Sequence, residues 1–557
     1  MNERRPIIGI DLGTTRSVAA YVGADGHVTS LPNRDGEVLT PSCVYIEPDG
    51  TARVGRRALQ AGTGTPDRLA EAFKRHMGRD NWSWSVDGLT FSAPALSAFV
   101  LRRLVEDAER VVGPIGGAVV TVPAYFGDAQ RSATLDAAVL ADLNVVTLIN
   151  EPTAAALAGA FESYITAGGD GADLTTAAIA ATAPGVSVLC DLGGGTFDVT
   201  VIRIDGSRFD VLATGGDRVG GRDFDEYIVE AMYRHIFDSN SLDPYHDPTA
   251  LARMRITAEQ AKHTLTVKDS VQVPMPYPNV PAMTLTRERF EKDSRPLIDR
   301  TRRVIGKVMS DAGLAWSGVD ALLLAGGASR MPMFRRMAAA VSGLQADVRL
   351  QPDLIVAHGA AVYAAIGEVQ GEGGVPAAQG GSSVVADLRP PESHDAPAAA
   401  GQAAFDPGFA AAAASVRVTD VNSRSLGVVV YSPEEACEVN AVVIPRNSRL
   451  PALKSRVFGT HEENQQRVVL PIVEGEERSP SACTEVGRCI IDPLPPNLPK
   501  GAPVEVTFSY DVSGRVCVRA EEPGSRTAAQ TVLDRRVDRP RDRIDELAEI
   551  VARYVLD

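Results

Sequence analysis

From about residue 6 to 367, short runs of β-branched and aliphatic residues alternate with longer stretches whose apolar side chains recur every three to four positions. The first pattern is that of buried strands and the second that of helices lying on a sheet, so an α/β region with parallel or mixed sheets is predicted. Ala118 to Val122 and Val145 to Ile149 read as strands; Asp128 to Leu143 and Pro152 to about Phe161 read as helices. From about Gln370 to Ala414, Ala, Gly, Pro and Ser dominate and the periodicity is lost, which predicts a flexible linker. Beyond it the period becomes two. Val504, Val506, Phe508 and Tyr510 alternate with smaller or polar residues, Asp511 to Gly514 supplies a turn, and Arg515 to Arg519 returns as a second strand, the signature of an antiparallel β domain. The stretch from Pro540 to Asp557 sets Ile544, Leu547, Ile550 (or Val551) and Tyr554 on one helical face behind a proline, predicting one short helix. The divisions are therefore 1–367, a linker 368–415, a β domain 416–536 and a terminal helix 537–557.

Composition narrows the function. The formal charge of the 557 residues is 56 − 71 = −15 with basic residues scattered, which argues against a nucleic-acid partner. No apolar run approaches the roughly 18 residues a membrane span requires. The apolar stretch behind Met1 to Pro6 stops at Asp11, too short for a secretory signal, so a soluble cytoplasmic protein is expected. Six cysteines contain no C-x-x-C pair, and Cys437, Cys483, Cys489 and Cys517 are expected to be buried hydrophobes in a reducing compartment.

An internal repeat carries the chemistry. Ile8-Gly9-Ile10-Asp11-Leu12-Gly13-Thr14-Thr15 and Val188-Leu189-Cys190-Asp191-Leu192-Gly193-Gly194-Gly195-Thr196 are both buried strands ending in Asp-Leu-Gly, followed by glycine or hydroxyl residues. Glycine lets backbone N–H groups approach an anion, hydroxyls donate further bonds, and an aspartate at a strand end can hold a hydrated divalent metal. One such turn alone reads as an ordinary tight turn. Two in one α/β region point to a pair of hairpins gripping a polyphosphate from both sides.

With these stretches the sequence resembles the seventy-kilodalton heat-shock chaperones of the DnaK type. Further support comes from Val120-Thr121-Val122-Pro123-Ala124-Tyr125-Phe126, Asn150-Glu151-Pro152-Thr153-Ala154-Ala155-Ala156 and Gly326-Gly327-Ala328-Ser329-Arg330-Met331-Pro332. Phe73-Lys74-Arg75-His76-Met77-Gly78 is most similar to the shorter HscC-type branch. The resemblance implies a duplicated actin-like ATPase domain, then an antiparallel β-sandwich that binds peptides, with ATP/ADP and Mg²⁺ as cofactors. It implies phosphate contacts from Asp11, Gly13, Thr14, Thr15, Gly193, Gly194, Thr196 and Gly221, with Asp11 and Asp191 reaching magnesium mostly through water. Lys74 matches the family's catalytic lysine and Glu151 would place metal and attacking water. The chain holds only seven lysines among 56 basic residues, and two of them, Lys74 and Lys262, stand at motif positions; a compact ammonium is a point-charge donor to phosphate oxygen that Arg replaces poorly. Glu259, Lys262, His263 and Thr266, joined by Gly327, Arg330 and Asp353, would hold adenosine. Without the resemblance, Glu259 and Lys262 read as a solvated ion pair one helical turn apart. In the β domain, Val428, Val430, Tyr431, Phe458, His461 and Val468 would line a pocket for unfolded or extended apolar segments, the bland reading being that Phe458 and Val468 are sandwich core. Pro123, Arg131 and Asp420 match the family's interdomain relay.

The chain also departs from the family pattern. Arg16 replaces the asparagine usual after the two threonines, His263 an arginine that stacks on the base, and Thr147 an arginine used for J-domain contact. A nucleotide-exchange factor remains an expected partner, a J-domain co-chaperone less so. The connector Ser415-Val416-Arg417-Val418-Thr419-Asp420 keeps only two apolar residues where leucines are usual, so Arg417 and Thr419 are expected to seat badly in an apolar groove and loosen coupling. Only about 18 residues remain from Pro540 onward, too few for the family's helical lid, so faster peptide release is expected. Two other readings are a nucleotide-bound adaptor that does not hydrolyse and tethers one partner, and an actin-fold small-molecule kinase, which leaves the β domain without a role.

Overall fold

Runs buried on both faces need cover on both sides, and Gly117–Val122, buried at all six positions, lies inside such a sheet. The computed structural model describes residues 5–161, 185–347, 351–371, 405–511, 516–525, 527–533, 547–548 and 550–557. The first sheet runs in the order Val145–Asn150, Gly117–Val122, Ile7–Asp11, Arg16–Val22, Val28–Leu31. Ile7–Asp11 has a parallel neighbour, Gly117–Val122, and an antiparallel one, Arg16–Val22. Gly185–Leu192 repeats the arrangement in the second sheet, parallel to Ala321–Ala325 and antiparallel to Phe197–Asp205. The repeat seen in the sequence is thus a repeat of whole strand units.

Two helices close the space between the sheets, Glu151–Ala160 and Ile355–Gln370. They touch backbone to backbone: a Cβ on Gly359 would lie 1.7 Å from the carbonyl oxygen of Ala154, and one on Gly9 would lie 2.2 Å from the amide of Ala361. The C-terminal domain is a sandwich of two four-stranded antiparallel sheets. Val504, Val506, Phe508 and Tyr510, the alternating residues of Pro503–Tyr510, all point into its core.

Several expectations change. The end of the supposed flexible linker is a helix, Pro407–Ser415. Asp406 caps it by accepting from the amides of Gly408 and Phe409 at 2.9 and 3.1 Å, Pro407 opens it, and Phe409 is fully buried with its ring 5.8 Å from that of Phe161. Residues 372–404 lie outside the described residues. Arg417–Thr419 does not enter an apolar groove; it adds as a parallel strand to Arg208–Asp217, and its half-buried side chains matter less than its backbone pairing. The terminal stretch is helical at residues 547–548 and 550–553 and then turns to strand, Val555–Leu556; Ile544 lies outside the described residues. Of the four cysteines expected to be buried, Cys489 and Cys517 are, whereas Cys437 is exposed and Cys483 only partly covered. Among the described residues no helix is long and apolar enough to cross a membrane.

Candidate functional site

The two Asp-Leu-Gly hairpins face each other. A Cβ on Gly194 would strike the Thr15 hydroxyl at 1.9 Å, and one on Gly195 would lie 2.6 Å from the Thr14 methyl, so glycine is what allows the second turn to approach the first. Around this contact runs one cleft between the halves. It is lined by Asp11, Gly13, Thr14, Thr15, Lys74, Glu151, Asp191, Gly193, Gly194, Thr196, Gly221, Glu259, Lys262, His263, Thr266, Gly327 and Asp353, and also by Arg16 and Arg222. Arg330 stands outside the lining and acts on the cleft through Asp353, which accepts from it at 2.7 Å. The Thr15 hydroxyl is buried with no hydrogen-bond partner, which fits a missing ligand oxygen.

Electrostatics concentrate at the floor. Lys74 Nζ, 5% exposed, donates to Glu151 Oε1 at 2.7 Å and lies 5.7 Å from the centre of the Phe126 ring. Asp11 accepts from the Thr121 hydroxyl at 3.2 Å. Burial, then the charge of Glu151, pushes the Asp11 carboxyl up to about 7. The same causes hold Asp191 and Asp198 well above the usual carboxylate range. One buried ammonium faces four acids, and this surplus of negative charge fits a cation bound with phosphate. Asp11 and Asp191, one from each half, line the cleft where magnesium would accompany the phosphates.

These shifts give a pH dependence. Between the ordinary aspartate value of 3.8 and about 7, the native nucleotide-free protein holds protons that the unfolded chain releases, so stability falls as pH rises through that window. Thermal unfolding should come at a higher temperature near about pH 6 than near about pH 7.5, with a smaller difference in Asp11→Asn. The reverse order, or no change in Asp11→Asn, rejects the assignment.

On the adenosine side, Lys262 is not the solvated partner of Glu259. It is buried, donating at 2.8 Å to Gly221 O and to Asp225, whose carboxyl burial pushes up to about 6. Glu259 instead meets Arg16 across the cleft at 3.7 Å, with His263 at 4.0 Å. Arg16, which also lines the cleft, thus reaches from the first half to the second. Two further ion pairs span the mouth, Arg75 to Asp223 at 3.0 Å and Arg222 to Glu71 at 3.4 Å. Each is part-exposed and individually weak. Asp198 and Asp225 escaped the sequence reading. Asp198 was legible in principle, two residues past Thr196 on the strand that follows it, Phe197–Asp205, whereas Asp225 is marked only by its meeting with Lys262.

The β domain docks on both halves. Asp420 accepts from Asn150 Nδ2 at 2.9 Å and the Thr153 hydroxyl at 3.2 Å, and Arg131 donates to Asn150 Oδ1. Asn150 immediately precedes Glu151, so the connector touches the start of the helix that carries the Lys74 partner. Glu474 accepts from the Asp128 amide at 3.3 Å, and Asn447 from the Thr214 amide at 3.2 Å. Pro123 is buried, its carbonyl accepting from the Phe126 amide at 3.0 Å. Thr147 is buried in its strand.

Of the residues expected in the peptide pocket, Val428 and Val468 are sandwich core, the first wholly inaccessible. Both are at inward positions of their strands. Val430 and Phe458 are half-buried against that core, while Tyr431 and His461 are exposed with rings 5.0 Å apart.

The sequence matches the family described as "Hsp70 protein" over residues 7–87, 80–374 and 392–554. It is 33% identical to the chaperone protein DnaK of Thermosipho melanesiensis, covering 99% of this chain and 84% of that one. It is likewise 33% identical to the chaperone protein DnaK of Thermotoga petrophila, covering 98% and 83%.

Proposed function

The chain belongs to the Hsp70 family, and we propose that it is an ATP-hydrolysing chaperone of the DnaK type that holds extended apolar segments on its β domain and changes grip with nucleotide state. The observation that carries this reading is the continuous contact from connector to cleft: Asp420 to Asn150, then Glu151 to Lys74.

Phosphoryl transfer to water asks a protein mainly to position the attacking water and neutralise phosphate charge. The hydroxyls of Thr14 and Thr15 and the amides of the Gly193–Gly195 turn would donate to phosphate oxygens. Lys74 would add a fixed positive charge, and Glu151, held by Lys74, would accept a hydrogen bond from the attacking water and so orient it. Mg²⁺, when bound, supplies further neutralisation of the phosphate oxygens. Glu259, Lys262 and His263 would hold the nucleoside, with Arg16 tying Glu259 to the opposite half. Val430, Tyr431, Phe458 and His461 would meet the client segment, Tyr431 and His461 narrowing the passage above it. A nucleotide-exchange factor is the partner class such a cycle needs, and the buried Thr147 offers a J-domain protein no foothold at that position.

Asp420→Asn keeps the shape of the connector and removes its charge. Peptide dissociation measured with ATP and with ADP should differ clearly in the native protein and agree within about twofold in Asp420→Asn, with ATP still bound. A native protein whose two off-rates already agree refutes the coupling; a variant that keeps the difference refutes the route through Asp420.

A further inference from the structure

The last residues of the chain are built into the first half of the ATPase domain. Val551 is wholly buried there, and the Tyr554 ring stands edge-on to Phe91 and Phe99 at 5.9 and 5.8 Å. Arg102 Nη1 donates to the Val551 carbonyl at 3.0 Å. Val555–Leu556 then runs parallel to Thr51–Val54, opposing Thr51 and Ala52, and the Asp557 amide donates to Ala52 O at 3.2 Å. The Asp557 carboxylate meets Arg57 at 3.1 Å and Arg53 at 3.8 Å. On its other side Thr51–Val54 pairs with Cys43–Ile46, so this segment covers what is otherwise a sheet edge.

We propose that the edge of Thr51–Val54, the Phe91–Phe99 pocket and the Arg53–Arg57 pair form a strand-addition site for an extended segment with an aromatic residue just ahead of the strand, and that residues 551–557 are its tethered, separable ligand. Backbone pairing gives such a site its grip and the single ring pocket its register. Residues 551–557 are held by three side chains, Val551, Tyr554 and Leu556, a two-residue ladder, the Arg102 hydrogen bond and the part-exposed ion pairs of Asp557, while Val555 is 71% exposed. Ordering the segment costs backbone and side-chain entropy comparable to what so few contacts return, which makes release accessible without unfolding the domain.

The topology gives the site its consequence. The chain enters the β domain from a strand on the second half, Arg417–Thr419, and ends on a strand of the first half, Val555–Leu556. The β domain is thereby pinned to both halves, and leaving the 551–557 site frees one pin. This holds whatever the cleft binds.

The test uses the full chain, hydrogen exchange and a synthetic peptide of residues 547–557. In the native protein the amides of Thr51–Val54 should be protected and added peptide should not bind. Tyr554→Ala should speed their exchange by about tenfold or more, and the peptide should then bind and restore protection. Asp557→Pro removes the amide donor and the carboxylate without touching the core, and should give the same result even if Tyr554→Ala fails to fold. Unchanged exchange in Asp557→Pro overturns the proposal, as does a peptide that restores no protection, or one that binds native and variant chains alike.

Discussion

Lys74→Ala slows single-turnover hydrolysis of bound ATP by at least about tenfold while nucleotide uptake persists. The size follows from the site. Lys74 is the only lysine at the floor of the cleft, it is 5% exposed, and its ammonium faces Glu151 with Asp11, Asp191 and Asp198 around it. Truncation removes the fixed charge that offsets these acids and the donor that holds Glu151 in place, so both neutralisation and water positioning suffer. Lys74→Arg should not restore the rate, since a planar fork cannot replace a compact ammonium in a buried slot. Equal rates in the native and Ala forms exclude the ATPase mechanism; a variant that no longer takes up nucleotide makes Lys74 a binding residue instead.

The largest stability change belongs to a methyl group. Gly359→Ala places a Cβ 1.7 Å from Ala154 O, where helix Ile355–Gln370 crosses helix Glu151–Ala160 on the backbone. Helix Ile355–Gln370 has no room to retreat, because Gly9 on the central strand presses on Ala361 from the other side. We expect a loss of about 3 kcal/mol or more, or no folded protein. Gly306→Ala is the matched contrast: it lies within helix Arg295–Asp311, is exposed, and its new Cβ meets nothing within 4 Å. That change should stabilise by about 0.5–1 kcal/mol through backbone entropy alone. Urea unfolding of the pair checks both, and a Gly359→Ala protein as stable as the native one refutes the close helix crossing.

Local chemistry made much of this legible. The strand Val145–Asn150 and the helix Glu151–Ala160 fall within a residue or two of their expected bounds, since a period and a turn residue are fixed over a short span. The helix Pro407–Ser415 carried its signals too, Asp406 as cap and Pro407 at the first position. Its alanine run has no polar face, so no amphipathic stripe distinguished it from a linker. Val428, which the resemblance assigns to the peptide pocket, is wholly buried in the sandwich core, a burial that strand alternation alone does not reveal because it leaves open which face is the core. Tyr554 sat on a helical pattern, yet the residues after it extend, because a free sheet edge outweighs the weak propensity of a short segment.

What the sequence determined by itself is the pair of Asp-Leu-Gly hairpins and the division into an α/β region and a β domain, both written in short-range patterns, while most of the cleft residues were reached only through the family resemblance. Only the tertiary structure decided that Arg16 reaches Glu259, that Lys262 turns to Asp225, that Arg417–Thr419 becomes a strand, and that residue 557 meets residue 57. Those pairings join positions up to 500 residues apart, and which groups meet is set by how whole layers pack, a property that no local period or turn carries.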